Sequence, residues 1–455
     1  MSAPDRTPDP IPAEAASSGS PAAASAATAV PTPTAGRLGL LGHPDFARLW
    51  TAETVSQLGS QVSLLAIPFV AIEILQASTF EVALLGVVDM LPFLLIGLPA
   101  GVWVDRLRRR PILVAGDLGR AAALATIPAA YALGALTIVQ LYVVGFVVGT
   151  LTVFFDVAYQ SYLPSLVERD QLVEGNAKLE ISRAGAQVVG PGLAGALIGI
   201  LRAPFAVLLD ALSFAASALF IVAIRRHEPA RERSVDSTGQ RTGMRREMAE
   251  GLRYVLGHRY LRAIALCTAT SNLFGTVATA ILLVYAVREL GMTAATVGLA
   301  FSIGSTGALL GAFGASRVAR FLGVGPTIVV FSLVVGPAWL PLALVPASAP
   351  TVVLVGLLAF AGFFAGLSAV VYNVNQVSLR QAITPERMQG RMNATMRWVV
   401  WGTIPIGGIL GGALGTAIGL RQTILLGALG MSFAFVPVLL SAVRSVRAMP
   451  TAQET

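Results

Sequence analysis

Six carboxylates sit where a carboxylate is costly. Glu53, Glu73, Asp89, Asp117, Asp156 and Asp210 all fall within long apolar runs. An ionised side chain in hydrocarbon costs several kcal/mol, so such groups are paired, protonated or used. The chemistry open to them is proton exchange or charge pairing. Asp89 lies well inside its run with no basic neighbour in sequence, which makes it the first candidate for a protonatable site. Glu53 is the second. Gln57 and Gln61 follow it at helical-turn spacing, so the three share one face. Such a stripe lines a cavity or hydrogen-bonds a neighbouring helix. Asp117 and Arg120, at i and i+3, form a self-neutralising pair. Glu73 stands near the end of its run, where it can snorkel to water.

Other chemistries find no residues to carry them. There is no G-x-S-x-G, no H-E-x-x-H and no phosphate-cradling loop, so the chain reads as neither an enzyme nor an ATPase. A single cysteine, Cys267, excludes an internal disulfide and a thiolate metal cluster. His43, His227 and His258 fall in loops or at helix edges. No metal and no cofactor is expected.

The elements that hold these residues are membrane spans. The chain is 55% hydrophobic and only 12% charged, with mean hydropathy +0.74, whereas a soluble domain is about a quarter charged. A net charge of +8 could suggest nucleic acid, but the arginines lie in short loops between apolar runs. They orient the protein against anionic lipid, and no nucleic-acid partner is expected. Runs long enough to span fall near 50–75, 81–104, 111–133, 138–162, 176–200, 204–224, 261–287, 294–317, 325–346, 351–378, 393–418 and 421–443. Arg202, Arg288 and Arg421 are the only basic residues in the loops assigned outside, which puts both termini in the cytoplasm. The expected organisation is a disordered tail over 1–45, a bundle over 46–224, a cytoplasmic linker over 225–260, a second bundle over 261–443 and a tail over 444–455. Within the linker, 244–256 could form an amphipathic surface helix. The expected fold is an all-α integral membrane protein with twelve transmembrane helices in two pseudo-symmetric six-helix halves.

Internal echoes support two halves. Tyr159-Gln160, Arg169-Asp170-Gln171-Leu172 and Asn176-Ala177 echo Asn375-Gln376, Pro385-Glu386-Arg387-Met388 and Asn393-Ala394. Each stretch leads into a glycine-rich span. The loop GVWVDRLRRRP, from Gly101 to Pro111, resembles the signature loop between the second and third helices of major facilitator superfamily transporters, with Arg108 where that family usually has glycine. The stretches RLWTAETVSQLGSQ, YLPSLVERDQLVEGNA, LLDALSF and TPERMQGRMNA resemble the branch holding the enterobactin exporter and macrolide efflux proteins. That resemblance covers nearly the whole chain, and it gives Asp210, in LLDALSF, a framework role. It also implies a cytoplasmic charge cluster of Asp105, Arg106, Arg109, Arg110 and Asp156, with Asp117 and Arg120 beside it, which latches the outward-open state. Gly185, Gly190-Pro191 and Gly195 resemble a reduced form of the antiporter glycine-proline motif.

Small residues at four-residue spacing let helices approach closely. Gly97 and Gly101, Gly195 and Gly199, Gly307 and Gly311, and Gly407, Gly411, Gly415 and Gly419 all repeat in this way. They serve either sliding seams or static packing. Symmetry places spans one, four, seven and ten around a central cavity. The wall would then carry Gln57, Gln61, Phe155, Tyr159, Thr268, Asn272, Phe274, Thr276, Thr279, Tyr372, Asn373, Asn375, Gln376 and Trp398. A largely neutral, apolar wall suits a lipophilic, amphipathic solute. The expectation is a monomeric, proton-coupled exporter of drug-like, natural-product or siderophore molecules in a bacterial inner membrane. Its partners would be the small-molecule substrate, protons and membrane lipid. Direction is written in no single residue, so an importer, a lipid flippase or a sensor on the same fold stays open.

Overall fold

The computed structural model describes residues 39–104, 107–168, 171–225 and 244–448. Among these there are helices and no strands. The first half of the chain holds α1 (Pro44–Phe69), α2 (Thr79–Leu95), α3 (Gly97–Val104), α4 (Arg109–Ala132), α5 (Ile138–Leu166), α6 (Leu172–Leu201) and α7 (Ala203–Val222). A connecting helix follows, α8 (Met244–Gly257). The second half holds α9 (Arg259–Val284), α10 (Ala294–Leu322), α11 (Val324–Leu344), α12 (Thr351–Ile383), α13 (Glu386–Ala417), α14 (Leu420–Ser432) and α15 (Val436–Leu439).

Eleven of the described helical segments are long and apolar enough to cross a membrane. The second expected span differs from the other eleven. It is split at Ile96 into pieces of 17 and 8 residues, α2 and α3. Pro99 cannot donate to the carbonyl of Leu95, and Gly97 beside it has little helical preference, so the break falls there. Three spans begin four or more residues earlier than expected, at Pro44, Leu172 and Glu386, because their polar first turns are already helical. The last span turns at 433–435 and its helix ends at Leu439, short of 443.

The two halves repeat in backbone detail. α1 closes in a π-helical turn, Val70–Ile74, and α9 closes in another, Tyr285–Glu289. In the first, Leu75 N–H donates to Val70 and Ala77 N–H to Ala71; in the second, Leu290 donates to Tyr285 and Met292 to Ala286. Gln76 and Gly291 take positive φ at the same point, and Ser78 and Thr293 then cap the next helices. Ser78 makes a complete capping box: its Oγ accepts from Glu81 N–H at 3.3 Å, while Glu81 Oε2 accepts from Ser78 N–H at 2.7 Å.

The arginine-bearing ends of the helices and the opposite, far ends are packed differently. At the far end one apolar cluster joins both halves, from Phe69, Val82 and Ile198 to Ile281, Val297 and Leu358. At the arginine-bearing end there are two separate clusters. One is built in the first half around Phe46, Leu113 and Tyr162; the other is built in the second half around Leu261, Leu379 and Met392. Burial therefore welds the halves at one end only.

Each half is also tied at its arginine-bearing end. Asp45 accepts from Arg48 at 2.7 Å and from the backbone N–H of Arg225 at 3.1 Å, joining the start of α1 to the end of α7. Arg110 donates to the carbonyls of Ile221 and Val222, closing the C-terminus of α7. Helix α8 packs on α9 and α13, where Glu250 pairs with Arg391 at 2.8 Å and Val255 is fully buried.

Candidate functional site

Three contiguous cavities run from the first half, across the space between the halves, into the second. The first, of about 370 Å³, lies within the first half and is lined by Glu53, Gln57, Gln61, Asp89, Arg120, Phe155, Asp156 and Asp210 among others. The second, of about 480 Å³, lies between the halves and is largely apolar. It shares Gln61, Leu64, Pro68, Leu85 and Gly86 with the first. The third, of about 550 Å³, lies within the second half and shares Thr276, Thr279 and Trp339 with the middle one. Its polar wall is neutral: Thr268, Ser271, Asn272, Ser368, Tyr372 and Asn373.

The first cavity gathers the carboxylates that the sequence scatters over four helices. Glu53 comes from α1, Asp89 from α2, Asp156 from α5 and Asp210 from α7. Asp89 and Asp156 are exposed because they line open space. Glu53 is held by Gln57, whose Nε2 donates to Oε1 at 2.7 Å; its Oε2 is buried with no hydrogen-bond partner. Asp210 is buried and accepts from Ser213 Oγ at 3.1 Å.

Arg120 is the centre of the charge network. Its Nη2 meets Asp117 Oδ1 at 2.5 Å, and the other Asp117 oxygen accepts from Ser217 Oγ at 2.6 Å. The guanidinium lies between the faces of Phe155 and Phe214, with its carbon 4.2 and 4.1 Å from the ring centroids. Asp117 and Arg120 are both buried, and a pair this enclosed depends on these contacts, although Arg120 Nε finds no acceptor among the described residues. Arg120 and Arg183 are the basic neighbours of Asp156, and Glu53 is an acidic one. Asp105 and Arg106 lie outside the described residues, Arg109 opens α4, and Arg110 closes α7 as described above.

Several residues assigned to the cavity wall lie elsewhere. Phe274 turns onto Gly430 of α14, where only a glycine leaves room for the ring. Asn375 and Gln376 are buried in helix packing: Asn375 Nδ2 donates to Val371 O, and Gln376 Nε2 to Asn373 Oδ1. Trp398 is exposed and lines none of the three cavities; Trp401, one turn on, lines the third. Tyr159 stacks on Phe155 with centroids 5.9 Å apart, behind the wall. Asn272 and Tyr372 line the third cavity, with Tyr372 and Thr268 hydroxyls 2.7 Å apart. Sequence reasoning missed Ser56, Ser60, Ser63 and Thr152 in the first cavity and Ser271, Ser368 and Trp339 in the third. The α1 serines recur at i and i+4 beside the Gln stripe and were open to discovery; Trp339 carries no sequence signal.

The glycines divide by position. Gly195 and Gly298 press α6 and α10 together, where a Cβ would strike the Ala294 and Pro191 carbonyls. Beside them, Gly192 N–H donates to Ser302 Oγ at 2.7 Å. Gly408, Gly412 and Gly415 of α13 face Val87, Ala83 and Thr79 of α2, while Gly407 and Gly411 approach the α9 backbone. Gly190 makes room for Gln61. Gly97, Gly101 and Gly199 have no described atom in the path of a Cβ, so the tight packing expected of them is absent. Every one of these contacts between halves belongs to the far end. There Arg288 also reaches across to the Ala77 carbonyl at 2.6 Å.

This architecture has counterparts among known proteins. The "Multidrug efflux pump Tap" of Mycolicibacterium fortuitum is 28% identical over 380 residues, 81% of this chain and 88% of that protein. "Macrolide efflux protein A" of Streptococcus pyogenes is 26% identical over 224 residues, 49% of this chain and 53% of that protein. Among solved structures, a bacterial homologue of the iron transporter ferroportin in an inward-facing state aligns with a TM-score of 0.68 at 17% identity, covering 87% of this chain and 98% of that one. The same homologue in an outward-facing state gives 0.54 over the same share of this chain. The nucleoside transporter NupG gives 0.66 at 12% identity, over 87% and 99% of the two chains. The family model described as transmembrane secretion effector, MFS_3, matches residues 35–454. A helical membrane protein with its cavities between two repeated halves, matched by that model over nearly its whole length, belongs to the MFS_3 transmembrane secretion effector family of bacterial membrane transporters.

Proposed function

We propose that this chain is a proton-coupled exporter of lipophilic drug-like or natural-product molecules, working as a monomer by alternating access in a bacterial inner membrane. Both termini and the arginine-bearing loops are cytoplasmic on this reading, as the loop charge asymmetry favours. The bundles over 46–224 and 261–443 rock against each other, and the 225–260 segment carries the connecting helix. The observation that carries the proposal is the packing asymmetry: one apolar cluster seals the far end, while the arginine-bearing end holds two separate ones. The cavities between them then face the cytoplasm, the side from which an exporter loads. The names of the multidrug and macrolide efflux relatives support the outward direction.

Proton exchange is assigned to the first-half carboxylates. Asp89 and Glu53 are the carriers, because both line the cavity and neither has a basic partner in contact among the described residues. Asp105, Arg109 and Asp156 form the latch that closes the cytoplasmic end in the opposite state. The test uses inverted membrane vesicles with an acidified interior, to which lipophilic antibiotics are added while the pH gradient is followed. Substrate-dependent collapse of the gradient, abolished by Asp89→Asn or Glu53→Gln, is the expected result. Collapse that persists in both variants would remove the carboxylate mechanism, and a gradient untouched by every compound would remove proton coupling.

A further inference from the structure

Arg253, Arg259 and Arg262, at the junction of α8 and α9, differ from the arginines described above. Arg48, Arg110, Arg120 and Arg391 are each committed to an acid or to backbone carbonyls. Among the described residues no carboxylate pairs with Arg253, Arg259 or Arg262, and all three are exposed. Arg259 turns to Tyr260: its Nη2 donates to the hydroxyl at 3.2 Å, and its guanidinium carbon lies 4.8 Å from the ring centroid.

Apolar side chains beside them are uncovered. Leu252 and Leu256 of α8 are 43% and 47% exposed, and Leu266 of α9 is 50% exposed. Helix geometry fixes where these residues face. On α8, Gly251 and Val255 are buried, and Glu250 turns to Arg391 of α13. Two and six residues after Glu250, Leu252 and Leu256 fall on the opposite flank, away from that pair. On α9, Ser271 and Gly275 line the third cavity, so Leu266 is on the outer side. Arg262 and Arg259 continue its stripe, about 6 and 10 Å nearer the arginine-bearing end. The outer side of a spanning helix meets lipid chains, and arginines below it reach the headgroups.

We propose that α8 and the start of α9 form a binding site for one anionic phospholipid, its phosphate held by Arg253, Arg259 and Arg262 and its chains laid against Leu252, Leu256 and Leu266. The guanidinium fork matches phosphate oxygens. A zwitterionic lipid would bring its own ammonium into a cluster with no acid to receive it. The lipid is a structural ligand and not cargo, because the site lies on the side of α9 turned away from the cavities. Gly251 already presses α8 onto Thr395 and the Arg391 carbonyl of α13, and a headgroup bridging α8 to α9 reinforces that attachment. Neither the direction of transport nor proton coupling enters this assignment.

The test titrates delipidated full-length protein in detergent with phosphatidylglycerol or phosphatidylcholine of matched chains and counts bound lipids by native mass spectrometry. The first phosphatidylglycerol is expected to bind roughly tenfold or more tightly than phosphatidylcholine. Arg259→Gln and Arg262→Gln should each weaken phosphatidylglycerol about fivefold and leave phosphatidylcholine unchanged. Lysine at both positions should keep most of the preference, whereas Leu252→Ser with Leu256→Ser should weaken both lipids alike. A photoactivatable phosphatidylglycerol should crosslink to peptides from α8 and the start of α9. Equal affinity for the two lipids, an unchanged preference in Arg259→Gln/Arg262→Gln protein with a normal melting transition, or crosslinks confined to other helices would each overturn the proposal. Glycerol phosphate, which lacks the chains, should not compete; displacement by it would make the ligand a soluble phosphate ester and overturn the lipid assignment too.

Discussion

Two arginines carry the sharpest energetic consequences of this fold. Arg120 neutralises Asp117 where both side chains are buried. Removing the guanidinium leaves a buried carboxylate whose remaining partner is Ser217. Arg120→Ala should therefore destabilise the protein by about 3–5 kcal/mol. Pairing it with Asp117→Asn should recover much of that loss, since the orphaned charge is gone. Thermal unfolding in detergent micelles compares the single and double variants directly. Arg202 makes the opposite case. It enters α7 with φ 67° and ψ 153°, a region that suits glycine, and the equivalent point before α14 is Gly419, at φ 97° and ψ 158°. Its side chain is exposed and makes one long contact, to the Tyr131 hydroxyl at 3.5 Å. Arg202→Gly should stabilise the fold by about 1 kcal/mol or more, and Gly419→Ala should destabilise it by a similar amount. Melting curves that move the other way would mean that the Tyr131 contact outweighs backbone strain.

The far-end seal depends on how closely α6 meets α10 and α2 meets α13. Gly298 and Gly195 bring two backbones into contact, so the neighbouring atoms that a Cβ would strike cannot rotate away. Gly298→Ala should prise this seam open and bias the molecule toward the opposite state. Spin labels at the far ends of α6 and α10 should then move apart, and transport should fall roughly tenfold. Gly101→Ala is the control, because nothing described stands in its way and alanine favours the helix by about 0.8–1 kcal/mol. The repeated G-x-x-x-G spacing could not distinguish these two cases. Spacing tells which glycines share a face, and only the packing tells whether another helix lies against that face. The same limit explains Phe274, Asn375 and Gln376. Each is on a cavity-lining helix, yet Phe274 packs onto Gly430 and Asn375 and Gln376 are buried and bonded within their own helix, because a helix has more faces than the one it turns to the cavity. Span positions were readable because hydropathy is a one-dimensional signal. The break at Ile96 was also foreshadowed, since Pro92, Gly97 and Pro99 are clustered there.

Across the whole molecule, two halves share a backbone plan and differ in chemistry. The π-helical turns after α1 and α9 match bond for bond, and the caps that follow fall at the same positions. The confinement of buried acids to the first half was plain in the sequence. Their convergence on one cavity around Arg120 was not, since it needs α1, α2, α4, α5 and α7 to be packed before Glu53, Asp89, Asp156 and Asp210 become neighbours. Trp339 was illegible for the same reason: a lone indole in an apolar helix gives no hint that it borders two chambers. The neutrality of the second-half wall has a consequence for how such a protein can change over generations. Exchanging Ser271, Asn272 or Asn373 for another uncharged residue alters shape and hydrogen bonding without touching the first-half carboxylates. On the export reading proposed above, one half can therefore drift to accommodate new cargo while the other keeps its carboxylates, and a change of cargo needs one or two neutral substitutions.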